Sequence, residues 1–147
     1  MRLAQQIETH IHTGDAADTV TLDYEARFLR RKRLISDAGE PFLVELAETQ
    51  SLSQGEGFRL DDGRIIAVIA AAEPLLAVRH GNLARIAWHV GNRHTPCQIA
   101  DDHILIREDK VLQAMLEGLG ASVTQVTEPF TPEGGAYGHG RTHGHEH

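Results

Sequence analysis

The histidines are the residues through which this chain can do chemistry, and they fall into two kinds. One is solitary: His94, in the stretch Trp88-His89-Val90-Gly91-Asn92-Arg93-His94-Thr95-Pro96-Cys97. The others are His139, His143, His145 and His147, four of the ten histidines, spaced by Gly, Arg, Thr and Glu near the end of the chain. Imidazole is a borderline donor suited to nickel, zinc and copper, so both kinds point to metal binding. A single imidazole is a weak site. His89 and His94 are five apart and share no helical face, so a strong site at His94 must borrow ligands from a partner chain or from the glycine-spaced histidines. Cys97 is close enough to be a soft ligand, but a lone buried thiol is the commoner role.

Local sequence predicts how His94 is presented. Leu83, Ile86, Ala87 and Val90 recur at helical spacing, with Asn82 placed to cap the start. Gly91 and Asn92 tolerate the left-handed conformation and are expected to stop the helix, and Pro96 prevents a restart. His94 then sits in the exit loop, at the negative end of the helix dipole, which favours a cation. Arg85, Trp88 and His89 fall opposite the apolar stripe. Trp88 either lies flat under a neighbouring loop or faces a second copy of the chain, in which case two His94 side chains converge across a two-fold axis.

The rest of the chain supplies a scaffold. With 147 residues and 41% apolar composition it can build one medium domain or two small ones. The alternation from Thr19 to Leu29 reads as a strand, Ile7 to Thr13 as an earlier one on which His10 and His12 share a solvated face, and Arg33–Ile35 with Phe42–Leu46 as a hairpin. Asp61-Asp62-Gly63 turns between Phe58–Leu60 and Ile65–Ile69. Residues 1–73 are thus expected to be an all-β domain.

After Glu73-Pro74 the order becomes strand, helix, strand, strand, helix, strand, with Asp109 capping a second helix whose stripe is Val111, Leu112, Met115, Leu116 and Leu119. The expected class is α+β, with a ferredoxin-like βαββαβ domain over 74–130. Residues 131–147 hold little apolar surface and are expected to be a disordered histidine-containing tail.

Composition narrows the partners. A formal charge of −7 disfavours generic nucleic-acid binding and suits cations, and the basic run of Arg27, Arg30, Arg31, Lys32 and Arg33 reads as a solvated strand edge. The longest apolar run, Ile65 to Ala72, is far below the ~20 residues of a membrane span. Neither a signal-peptide core nor a second cysteine is present, so a cytoplasmic location is expected. There is no His-Glu-x-x-His helix, and His80, Asp101, Asp102 and His103 make no ligand-plus-base set, so no enzyme is expected.

Taken together, Ala87-Trp88-His89-Val90-Gly91-Asn92-Arg93-His94-Thr95 after a β domain, Phe130-Thr131-Pro132-Glu133-Gly134-Gly135-Ala136-Tyr137-Gly138, and the histidine-bearing end resemble the urease accessory protein UreE family over most of the chain. The resemblance implies a nickel metallochaperone: an N-terminal β domain over 1–73 for peptide or partner binding, a ferredoxin-like metal-binding domain, and a homodimer with one Ni²⁺ between two copies of His94. His139, His143, His145 and His147 would assist as ligands, and Zn²⁺ or Cu²⁺ could compete for them. It also implies hand-over to urease apoprotein through the accessory GTPase UreG. Some family members carry two histidines flanking an Asp at the start of the second helix. Here Glu108-Asp109-Lys110 stands instead, and Lys110 would repel a cation, so no accessory site is expected there. A second hypothesis is a peptide-binding co-chaperone whose histidine tail only stores nickel or zinc.

Overall fold

The computed structural model describes residues 1–134, and the chain divides into two compact units between Ala71 and Ala72. The first contains β1 (Arg2–Glu8), β2 (Asp18–Leu22), β3 (Phe28–Ile35), β4 (Pro41–Ser51), β5 (Gly57–Leu60) and β6 (Ile65–Ala70). They form one sheet in the order β2-β6-β5-β1-β4-β3. The pairs β1/β4 and β2/β6 are parallel, and the remaining neighbours are antiparallel. Alternate residues such as Val20, Leu22, Phe42, Val44, Leu46, Phe58, Leu60, Ile66 and Val68 point into a shared core, as period-two patterning requires.

Two details differ from the sequence expectation. The strand expected from Thr19 to Leu29 is two strands, because Asp23 starts a turn: its Oδ1 accepts from Ala26 N–H (2.8 Å) and its carbonyl from Arg27 N–H (3.1 Å). That turn folds Arg27 inward to 2% exposure, where Nε donates to the Leu52 carbonyl and Nη1 to that of Leu22, so Arg27 is not part of the solvated basic edge. The first strand ends at Glu8, and His10 follows with φ of 55°. His10 and His12 therefore do not share a strand face.

The tip of the β3/β4 hairpin reaches β2, the opposite outer strand. Asp37 N–H donates to the Thr19 carbonyl (2.8 Å), while Thr19 Oγ1 (2.6 Å) and Thr21 Oγ1 (2.8 Å) donate to Asp37 Oδ2. The Thr19 hydroxyl, with that of Thr21, holds the Asp37 carboxyl below its ordinary value. A carboxyl depressed on folding stabilises the protein above its unfolded pKa and loses that contribution as pH falls through the folded one. Asp37→Ala should cost about 1 kcal/mol at neutral pH. In urea unfolding, the gap between variant and wild type should be full at pH 7 and narrow as pH falls below the ordinary carboxylate range.

The second unit comprises β7 (Ala72–Arg79), α1 (Leu83–Asn92), β8 (Gln98–Ile99), β9 (Ile104–Arg107), α2 (Lys110–Gly118) and β10 (Ser122–Pro129). Its antiparallel sheet runs β10-β7-β9-β8, the ferredoxin-like arrangement. Ile86 and Val90 of α1 and Leu112 and Leu116 of α2 pack on Leu76, Val78, Ile104 and Ile106 of the sheet. Asp109 caps α2 by accepting from Leu112 N–H at 3.0 Å. Val111, expected in the buried stripe, is 68% exposed, because it sits about 100° around the helix from the line joining Leu112 to Leu116. No helix among the described residues is long and apolar enough to cross a membrane.

Candidate metal centre

α1 starts where the sequence predicts, with Asn82 Oδ1 accepting from Arg85 N–H at 3.1 Å. Its exit differs. Gly91 and Asn92 are the last two helical residues, Arg93 is the C-cap, and His94 itself adopts the left-handed conformation with φ of 58°. Two hydrogen bonds close the helix around it, from Thr95 N–H to the Val90 carbonyl (3.3 Å) and from His94 N–H to that of Gly91 (2.9 Å). This is a Schellman motif, with His94 in the place usually given to glycine.

The same domain supplies the comparison. α2 ends through Ala121 N–H to the Leu116 carbonyl and Gly120 N–H to that of Glu117, both 3.0 Å, with Gly120 at φ of 89°. Glycine at that position has no Cβ to clash, whereas a side chain there costs roughly 1 kcal/mol. Histidine is among the residues that tolerate the region better. The strain places an exposed imidazole on a tight turn at the carbonyl end of a helix.

Trp88 is 63% exposed, so no loop of the described residues covers it; the ring of His89 meets it edge-on with centroids 5.0 Å apart. Other candidate ligands are engaged elsewhere. His80 Nδ1 accepts from Asn82 N–H (2.9 Å) and its Nε2 lies 3.1 Å from the Leu119 carbonyl, so it ties the start of α1 to the end of α2 rather than standing as a simple surface histidine. His103 Nδ1 lies 2.7 Å from Asp102 Oδ1, a bond that holds the Asp102 carboxyl low. Burial, with the nearby Glu133 carboxylate, pushes the Cys97 thiol above its ordinary value. The thiolate needed for a soft metal is thereby disfavoured. Glu108 accepts from Gln125 Nε2 at 3.2 Å.

Among the described residues no three His, Cys, Asp or Glu side chains are grouped to hold a metal. His94 is exposed on the turn that closes α1. The expected tail ligands His139, His143, His145 and His147 lie outside the described residues. The chain just before them does not behave as expected. Phe130 is fully buried, Thr131 N–H donates to Gln98 Oε1 (2.9 Å) and Glu133 N–H to the Cys97 carbonyl (2.8 Å). An aromatic residue opening a polar stretch was the available signal; the partners Gln98 and Cys97 had none.

Comparison with known proteins covers nearly the whole chain. The profile of the UreE urease accessory protein N-terminal domain matches residues 2–71, and that of its C-terminal domain residues 73–147. The "Urease accessory protein UreE" of Ruegeria pomeroyi is 60% identical over 136 residues, covering 92% of this chain and 91% of that protein. The protein of the same name from Rhodobacter capsulatus is 61% identical over 132 residues, 90% of this chain and 84% of that protein. That from Paracoccus denitrificans is 63% identical over 123 residues, 84% and 79% respectively. With both domains matched in order and the exposed His94 turn at the centre of the second, this chain belongs to the UreE urease accessory protein family.

Proposed function

We propose that this chain is a cytoplasmic nickel carrier for urease maturation, acting as a homodimer that holds Ni²⁺ between the His94 side chains of its two protomers. The observation that carries the reading is His94 at the left-handed position of the α1 exit, a strained placement that exposes an imidazole. Exposed Trp88, six residues back on the solvent side of α1, supports a second copy meeting this face. Two imidazoles leave coordination positions open, which His139, His143, His145 or His147 can close. Tethering brings such groups to roughly millimolar local concentration, so weak contacts add up to firm but reversible capture. Reversibility is what hand-over to the UreG GTPase and urease apoprotein demands. Donor type does not choose nickel over copper, so metal supply and partner contacts set the choice, and Zn²⁺ or Cu²⁺ can compete.

The test is nickel titration with light scattering on the wild type, His94→Ala, and a chain ended after Tyr137. The expected results are a dimer binding one tight Ni²⁺, its loss in His94→Ala, and weaker but retained binding in the shortened chain. A monomer that keeps full nickel affinity without the His94 imidazole would overturn the proposal.

A further inference from the structure

Four consecutive cations, Arg30, Arg31, Lys32 and Arg33, stand along β3, and all four are exposed. They are not neutralised within the unit. Its other exposed arginines each have a carboxylate: Arg2 pairs with Asp61 and Asp62, Arg59 with Glu8, and Arg64 with Glu40 and Asp62. On β3, Arg31 has a loose contact of 3.8 Å with Glu45, and both side chains stay well exposed. Arg30, Lys32 and Arg33 have no carboxylate partner among the described residues, although a chain of net charge −7 does not lack acids.

β3 is also an outer strand, hydrogen-bonded on one side only, to β4. The other outer strand, β2, is tied beyond the two ends of β3 and not along its length. Asp37 bonds to Thr19 past Ile35, and Arg27 bonds to Leu22 before Phe28. Such an edge offers backbone N–H and C=O groups to a further strand. Charged side chains on an edge ordinarily keep other strands away, and one lysine suffices for that. Four cations of one sign are more selective: they repel a second β3 and favour a strand of opposite charge.

We propose that β3 is a docking edge for an acidic, extended segment of a partner protein, which pairs with it as an added strand. Along β3, Arg31, Arg33 and Ile35 point to one face, and Arg30 and Lys32 to the other. A run of acids in a paired strand advances at the same rise, about 3.3 Å per residue, and so meets these cations one for one on both faces. Ile35, 62% exposed at the end of the strip, adds an apolar contact that a phosphate backbone would not use. No aromatic ring lies between the four cations to stack a nucleobase on, and the net charge repels a long polyanion. The inference does not depend on the nickel reading, since β3 belongs to the first unit and His94 to the second.

The probe is a fluorescent peptide of four glutamates, matching the four cations, between pairs of valines. It is titrated by anisotropy against the full chain at about pH 8, where ordinary imidazoles are neutral. The expected result is saturable binding below about 1 mM peptide at low salt, weakening as salt rises to about 200 mM. Lys32→Glu with Arg33→Glu should lower the affinity about tenfold and gain affinity for the counterpart peptide of four lysines. The same acidic peptide, N-methylated at alternate amides, keeps its charge but cannot complete a ladder, and should bind about fivefold more weakly. If the charge reversal lowers the thermal midpoint, Lys32→Gln with Arg33→Gln should still cost about threefold.

No binding at about 1 mM peptide would overturn the proposal, as would equal binding by the reversed variant. Equal binding of the N-methylated peptide would overturn it too, by showing charge attraction without an added strand. A single-stranded oligonucleotide and anionic phospholipid vesicles are run in parallel. If either binds more tightly than the peptide and is released by the charge reversal, β3 serves nucleic acid or membrane instead and the proposal fails.

Discussion

His94→Gly should make the protein more stable and, on the proposed carrier reading, abolish tight nickel binding. Glycine meets the left-handed turn without a Cβ penalty, as Gly120 does at the end of α2. Against that stands glycine's larger entropy in the unfolded chain, so the net gain is at most about 0.5 kcal/mol, or roughly one to three degrees in thermal midpoint. Nickel affinity should fall at least about a hundredfold, the loss expected when a bridging donor disappears from both protomers. His94→Ala is the companion variant: it loses the metal equally but keeps the strained backbone, so its midpoint should not rise. Calorimetry and metal competition on the three proteins measure both effects. A midpoint that falls in His94→Gly would show the imidazole making stabilising contacts that outweigh the turn.

Gly57→Ala should have the largest effect on stability of any single methyl added to the first unit. A Cβ on Gly57 would lie 2.5 Å from the Ile66 carbonyl oxygen and 3.1 Å from the Ala67 Cα, both backbone, as well as 2.6 Å from the Ile11 side chain. The Ile11 side chain can move, but the β6 backbone cannot without breaking the pairing of Gly57 with Ala67. The expected cost is about 3 kcal/mol or more, in the range of severe overpacking, against a total stability of about 5–15 kcal/mol for an ordinary domain. Gly63→Ala is the contrast, since nothing stands within 4 Å of its added Cβ and only its positive φ resists the change. Chemical denaturation of the two variants should therefore rank Gly57→Ala well below Gly63→Ala.

These two glycines show where sequence reasoning reached and where it stopped. Asp61-Asp62-Gly63 announces its turn, because the residue types needed for a tight reversal are local. Gly57 carries no comparable mark: what excludes a side chain is a neighbouring strand eight or more residues away, and only pairing reveals it. The same division holds at the candidate centre. The amphipathic spacing of Leu83, Ile86 and Val90 and the Asn82 cap are local features, and they stand where expected. α1 runs two residues further than its sequence predicts, since Gly91 and Asn92 suit a left-handed turn at least as well as histidine does. The ladder of helical hydrogen bonds continues through both, and the strain falls on His94. The alternation through Tyr24 and Arg27 misled for a related reason. The residue types of Leu22, Tyr24, Ala26 and Phe28 keep alternating through the turn, but the local bonds of Asp23 bend the chain and burial shifts parity to Arg27 and Leu29.

The matching ends of α1 and α2 have one more consequence. Both helices close with the same pair of backbone bonds although one carries an imidazole and the other a hydrogen atom at the turning residue. The hydrogen-bonded frame is therefore indifferent to what it displays. It works as a socket in which the displayed donor can be exchanged, by selection or by design, without rebuilding the architecture that holds it.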